Sequence, residues 1–132
     1  CRKLAGDLQI ADAVTFAGEV ACSRDAFAAG HVVALSSVSE GMPYTVNEAM
    51  MCGRATVSTD VGGVAEAVGD TGLVVSPRDP RAFANACLEL LTDSAKRADM
   101  ARRARARALG EYTLDRCLST YRGHYRRLGA LV

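Results

Sequence analysis

At 132 residues, 49% apolar and 23% charged with a net charge of +1, the chain is sized and balanced for one globular domain with a modest core. Its longest stretch free of Asp, Glu, Lys and Arg is fourteen residues, Ala26 to Ser39, too short and too polar for a membrane span. Five cysteines 21 to 35 residues apart, with no C-x-x-C pair and two histidines, exclude a zinc site or disulfide framework and predict buried or half-buried free thiols in a reducing cytoplasm.

The first residues have neither an initiating Met nor the apolar core of a signal peptide, so the chain reads as a piece cut from something longer. Arg2 to Leu8 read as the tail of a helix whose beginning is absent. Val14 to Ala17 read as a short strand closed by Gly18, Asp25 to Ala29 as a helical turn, and Val32 to Leu35 as the next strand. Pro43 is placed for a helix start, and Tyr44 to Cys52 continue that helix to a stop at Gly53. Ala55 to Thr59 form a β-branched strand. Asp60 to Gly63 form a turn whose paired glycines permit close backbone approach, with Asp60 expected to cap the short helix Val64 to Val68. Gly69 to Gly72 turn the chain into a fourth strand, Leu73 to Val75.

Phe83, Cys87, Leu90 and Leu91 then recur at helical spacing from Asp79 or Pro80 onward. Ser94 is expected to cap a helix stopped by Gly110, and Thr113 a last one to about Leu128. Apolar strands with interposed helices predict an α/β fold, a Rossmann-like parallel sheet covered by helices on both faces. The implied divisions are a helix remnant (1–13), an α/β core (14–92) and C-terminal helices (93–132).

Residues 1–95 carry six basic and twelve acidic side chains, and 96–132 carry ten basic and three acidic. At about 100° per residue, Arg97, Arg102, Arg103, Arg105 and Arg107 point in all directions around a helix, so no nucleic-acid-binding stripe forms. The expectation is a solvated, arginine-rich helix surface.

Chemistry concentrates in Ser36 to Gly63. Glu40 follows the carboxyl end of a strand, where open α/β sheets bind ligands, and the N–H groups of Tyr44, Thr45 and Val46 are expected to be free at the following helix start. Glu48 lies one turn further in. A helix start suits phosphate, while a carboxylate suits hydroxyl donors, so the pair points to a nucleotide or nucleotide-sugar. A plain dipole-stabilising glutamate is the bland alternative. His31, His124 and the four methionines fit structural roles, with the Met42 backbone near the ligand. No G-x-x-x-x-G-K, G-x-G-x-x-G or G-x-S-x-G is present.

The run from Ser37 to Val68, with Gly72-Leu73-Val74-Val75 and Pro77-Arg78-Asp79-Pro80, resembles the C-terminal half of retaining family 4 glycosyltransferases over residues 14 to about 127. Its Pro43-Tyr44-Thr45 wording is similar to the branch that includes the Pel exopolysaccharide glycosyltransferase. The resemblance implies the C-terminal, donor-binding domain of a GT-B fold, N-terminally truncated, acting without a metal or other cofactor on a nucleoside-diphosphate sugar. The branch suggests UDP-glucose.

By motif position, Glu40 would contact the donor sugar near the reacting carbon. The backbone of Gly41, Met42, Tyr44, Thr45 and Val46 would hold sugar and pyrophosphate, Glu48 the ribose, and Val20 the base. The resemblance further implies an N-terminal acceptor domain and a basic pair, neither of which this sequence contains, and two further sheet strands. Val32 to Leu35 should then present an unpaired edge and the first strand should be misplaced or borrowed. The fragment alone is expected to be inactive, cytoplasmic, and without a nucleic-acid partner. A non-catalytic nucleotide-binding or interaction module, or a decayed remnant lacking the acceptor domain, and, less favoured, a nucleotide-sugar epimerase are the alternatives.

Overall fold

The computed structural model describes residues 1–129. The expected C-terminal helical segment 93–132 thus runs past the described residues at 130–132. Three parallel strands form the sheet in the order β1 (Val32–Leu35), β2 (Ala55–Thr59), β3 (Leu73–Val75), with Val32 opposite Ala55 and Val57 opposite Leu73. Seven α-helices accompany it among the described residues: α1 (Arg2–Asp7), α2 (Ser23–Ala29), α3 (Tyr44–Met51), α4 (Val64–Val68), α5 (Pro80–Thr92), α6 (Ser94–Glu111) and α7 (Leu114–Arg127).

All five residues of β2 are buried because it is paired on both sides and covered on both faces. Ala55 and Val57 join Ala86, Leu90 and Met100 in one apolar cluster under α5. A second cluster, Val46, Met50, Val64, Val68, Ala104 and Ala108, joins α3, α4 and α6. Helix α6 contributes to both, with alanines where it must approach closely. The expected layering of helices on both faces is thus present.

Val14 to Ala17 do not form a strand. Val14 is extended (φ −119°, ψ 118°), but the segment pairs with no strand of the sheet, and the Arg2 guanidinium lies 4.6 Å from the Phe16 ring centroid. An extended segment becomes a strand only where a neighbour exchanges hydrogen bonds with it, and the open edge of β1 is unpaired here, as expected. Among the described residues the sheet accordingly has three strands instead of four.

Helix ends differ in detail from expectation. Asp79 and Asp93, not Ser94, supply the N-terminal caps of α5 and α6, accepting from Ala82 N at 2.9 Å and Lys96 N at 2.8 Å. Thr113 caps α7 as expected, accepting from Arg116 N at 3.3 Å. Gly53 follows α3 with φ 64°, the left-handed stop that its position predicts. Gly110 stops nothing: α6 runs through it to Glu111.

The arginines of α6 are not simply solvated. Arg97 donates to the Leu90 and Leu91 carbonyls (2.7 and 3.1 Å), Arg105 to Met51 O, and Arg107 to Ala67 O and Glu66 O (2.9 and 2.7 Å). Each guanidinium therefore satisfies the exposed carbonyl end of a different helix, α5, α3 and α4. Arg102 and Arg103 instead pair with Asp99 on α6, and Arg103 also with Asp70. Their scattered directions follow from three helix ends arriving around one helix.

Candidate functional site

The loop from Ser36 to Pro43 joins β1 to α3 at the carboxyl end of the sheet, and the neighbouring strand holds it in place. Thr59, buried at the end of β2, donates from Oγ1 to the Ser37 carbonyl at 2.6 Å. Ser37 Oγ donates to Glu40 Oε1 at 2.6 Å, so the half-buried Glu40 is oriented from the strand through two hydrogen bonds. Gly63 N donates to Gly41 O at 2.7 Å.

Gly62 adopts φ 54°, and a Cβ there would overlap the Glu40 carbonyl; one at Gly63 would lie 2.9 Å from Met42 Cε. The glycine pair does permit close approach, and what approaches is the loop bearing Glu40. Asp60 is not the expected cap. α4 begins without a side-chain cap, and the exposed Asp60 uses its backbone N–H on Val75 O at 2.7 Å.

Helix α3 starts at Tyr44 with Pro43 as N-cap, which offers no side-chain acceptor. Tyr44 and Thr45 N–H groups have no backbone acceptor among the described residues, which leaves two donors and the positive end of the dipole for a ligand. Val46 is the exception to the expected trio: its N–H donates to Pro43 O at 3.2 Å because the first turn tightens. Its side chain is core, with 1% exposure. Tyr44 and Thr45 are exposed, as are Gly41 and Met42.

Glu48 is exposed on α3 and lines a groove of about 520 Å³ between α2 and α3, with Ser23, Arg24, Met51, Cys52 and Arg105. That volume is in the range of small-molecule sites. Val20 lies exposed in the loop before α2 and does not line the groove. A smaller cleft of about 270 Å³ opens at the carboxyl ends of β1 and β2, bordered by Ser36, Val38, Thr59, Arg78 and Phe83.

The structure thus brings Glu40, Gly41 and Met42 against Gly62-Gly63, and Tyr44, Thr45 and Glu48 onto one helix. Ser37, Thr59, Ser23, Arg24 and Arg105 escaped sequence reasoning. Ser37 and Thr59 bear common residue types with no spacing signal. Arg105 is 57 positions from Glu48, a pairing no local pattern encodes.

Residues 1–93 match the family described as glycosyl transferases group 1. The chain is 38% identical over 125 residues to D-inositol 3-phosphate glycosyltransferase of Gordonia bronchialis, covering 89% of this chain and 27% of that protein. It is 30% identical to N-acetyl-alpha-D-glucosaminyl L-malate synthase of Bacillus anthracis, covering 93% and 33%. Among solved structures, sucrose-phosphate synthase from Thermosynechococcus elongatus superposes with a TM-score of 0.86 at 28% identity, over 96% of this chain and 33% of that one. Anabaena HepE in complex with UDP gives 0.87 at 26% identity, over 98% and 36%. The chain therefore spans about a third of the proteins it resembles. With a Rossmann-like parallel sheet and a family match over more than half its length, it belongs to the group 1 glycosyltransferases, whose GT-B architecture its fold shares.

Proposed function

We propose that this chain is the donor-binding part of a retaining hexosyltransferase that uses a nucleoside-diphosphate sugar, without metal or other cofactor. The observation that carries this reading is the arrangement around α3. Two unclaimed N–H groups stand at its start, beside a loop pinned by Thr59 and Gly63, and Glu48 faces a ligand-sized groove one turn further in.

The diphosphate sits at the Tyr44 and Thr45 amides, where the helix dipole offsets its charge. Gly41 and Met42 backbone and the Val46 turn flank it, and Glu48 accepts both ribose hydroxyls. Val20 borders the base. Glu40, oriented by Ser37, positions the sugar near its anomeric carbon. The bond from that carbon to the diphosphate oxygen breaks with its electron pair on the leaving group. A bond to the acceptor hydroxyl forms on the same face, and the acceptor proton passes to the departing phosphate.

UDP-glucose is the proposed donor, in keeping with HepE having been crystallised with UDP and with UDP and glucose. The Pro43-Tyr44-Thr45 wording supports an exopolysaccharide branch, whereas the relatives named above carry other acceptors in their names. The acceptor domain is proposed to lie in the two-thirds of relatives' length that this chain does not span. Five free thiols favour a reducing, cytoplasmic setting, and no helix among the described residues is long and apolar enough to cross a membrane.

Thermal stabilisation by UDP and by dUDP tests the reading. Wild type should prefer UDP by roughly 10-fold or more in affinity, the worth of one charge-assisted hydrogen bond, and Glu48→Ala should lose the preference. Equal preference in both proteins removes Glu48 from the site. The chain by itself should bind donor without sugar transfer, and turnover by the purified 132-residue protein would refute the need for a second domain.

A further inference from the structure

We propose that helix α7 pairs, antiparallel and about a two-fold axis, with α7 of a second copy of this chain. Helix α7 buries no residue, and Leu114, Leu118, Tyr121, Tyr125 and its C-cap Leu128 are each between 43% and 82% exposed. They follow one another at steps of four, three, four and three residues. That is the narrow two-in-seven seam of a helix that packs on one other helix, not the broader apolar stripe of a helix laid on a sheet or core. Pairing of this kind is independent of donor binding.

The charges beside the seam decide what fits it. At about 100° per residue from Leu114, Asp115 and Arg122 fall at about 100° and about 80°, on one flank, and Cys117 and His124 at about 300° and about 280°, on the other. Asp115 and Arg122 are both exposed, and neither side chain has a hydrogen-bond or ion-pair partner among the described residues. An antiparallel pair sets like flank against like flank, so Asp115 meets the partner's Arg122 and Arg122 meets the partner's Asp115. In the same register Leu114 lies across from the partner's Tyr125 and Leu118 from the partner's Tyr121, a leucine against a ring at each step. A parallel pair sets the Asp115 and Arg122 flank against Cys117 and His124, which leaves both charges unmatched.

A lipid surface fits the helix less well. Arg126 and Arg127 fall at about 120° and about 220°, away from the seam, and Asp115 beside the seam is repelled by anionic headgroups. Five large side chains per copy make a contact at the small end of specific interfaces, below about 1,200 Å² in total. The dimer is therefore weak, and at low concentration the monomer prevails with α7 open to solvent.

The test is sedimentation velocity of the 132-residue chain over about 5 to about 500 µM, where conversion from monomer to dimer with a dissociation constant of about 10 to about 200 µM is expected. Asp115→Arg and Arg122→Asp, both at exposed positions, should each weaken the dimer by about 10-fold or more, because either reversal sets like charges together twice. The double variant Asp115→Arg/Arg122→Asp should recover wild-type dimerisation, and an equimolar mixture of the two single variants should associate although neither does so alone. A wild-type chain that stays monomeric throughout, single reversals without effect, or a double variant that is not rescued overturns the proposal. Vesicles of phosphatidylcholine with about one-third phosphatidylserine supply the remaining outcome. Monomeric wild type that sediments with them gives the seam to a lipid surface and overturns the second copy.

Discussion

At Gly62 a single missing methyl group decides where Glu40 sits. With φ 54° and the Glu40 carbonyl occupying the space a Cβ would need, Gly62→Ala must either strain the turn or push the loop away, and a loss of about 2–4 kcal/mol is expected. Gly41→Ala, with nothing within 4 Å of its Cβ position, should cost less than about 1 kcal/mol. Urea denaturation of both variants decides this, and equal losses would show that the contact is not what holds the loop.

Two titratable residues make further tests at the same scale. Burial pushes the Cys87 thiol up, so at neutral pH it should react with iodoacetamide more slowly than the exposed Cys1 and Cys117, as mass spectrometry would show. These last two correct the expectation that every thiol is at least half-buried. Hydrogen bonds from Arg103 and then Arg102 hold the Asp99 carboxyl below its ordinary value. A lowered folded value means stability present above about pH 3.9 and lost as pH falls through the folded value. Asp99→Asn should therefore lose less stability than wild type on acidification from about pH 5 to pH 2. Parallel acid-denaturation curves would show that the pair contributes nothing, the usual fate of exposed ion pairs.

Among the elements, α6 organises the others. Arg107 satisfies two carbonyls at the end of α4 and packs beside Tyr112, with its guanidinium 6.0 Å from the ring centroid. Arg107→Ala should cost about 1–2 kcal/mol, and Arg102→Ala, whose partner is an exposed carboxylate, less than about 0.5 kcal/mol. Similar midpoints for the two in thermal unfolding would mean that carbonyl capping and surface pairing are equivalent here. Helix α7 is the contrasting element. It buries no residue, and Leu114, Leu118, Tyr121 and Tyr125 form an exposed apolar stripe along it. Its amides should exchange with deuterium ahead of those of β2 and α3, because little packing opposes local opening. Protection of α7 up to the global unfolding limit would contradict this.

For the whole molecule, what was legible in the sequence is what is written locally. Gly53, Thr113 and the Phe83-Cys87-Leu90 spacing place helix boundaries and faces because a helix is a short-range object. The loop Ser36 to Val46 was readable because a helix start following a strand has known chemistry whatever surrounds it, although the claim of Pro43 O on the Val46 amide was not. Val14 to Ala17 misled for the opposite reason: residue types report preference for a strand, but a strand exists only with a partner. The composition, the helix periodicity and the residue types of the Glu40 to Gly63 motif were determined by the sequence alone, because each depends on neighbours a few residues apart. Only the tertiary structure decided that α6 arginines close the ends of three helices and that Thr59 and Gly62 orient the Glu40 loop, because these contacts join residues up to some fifty positions apart. Such pairings are set by how the layers stack, and no local pattern carries them.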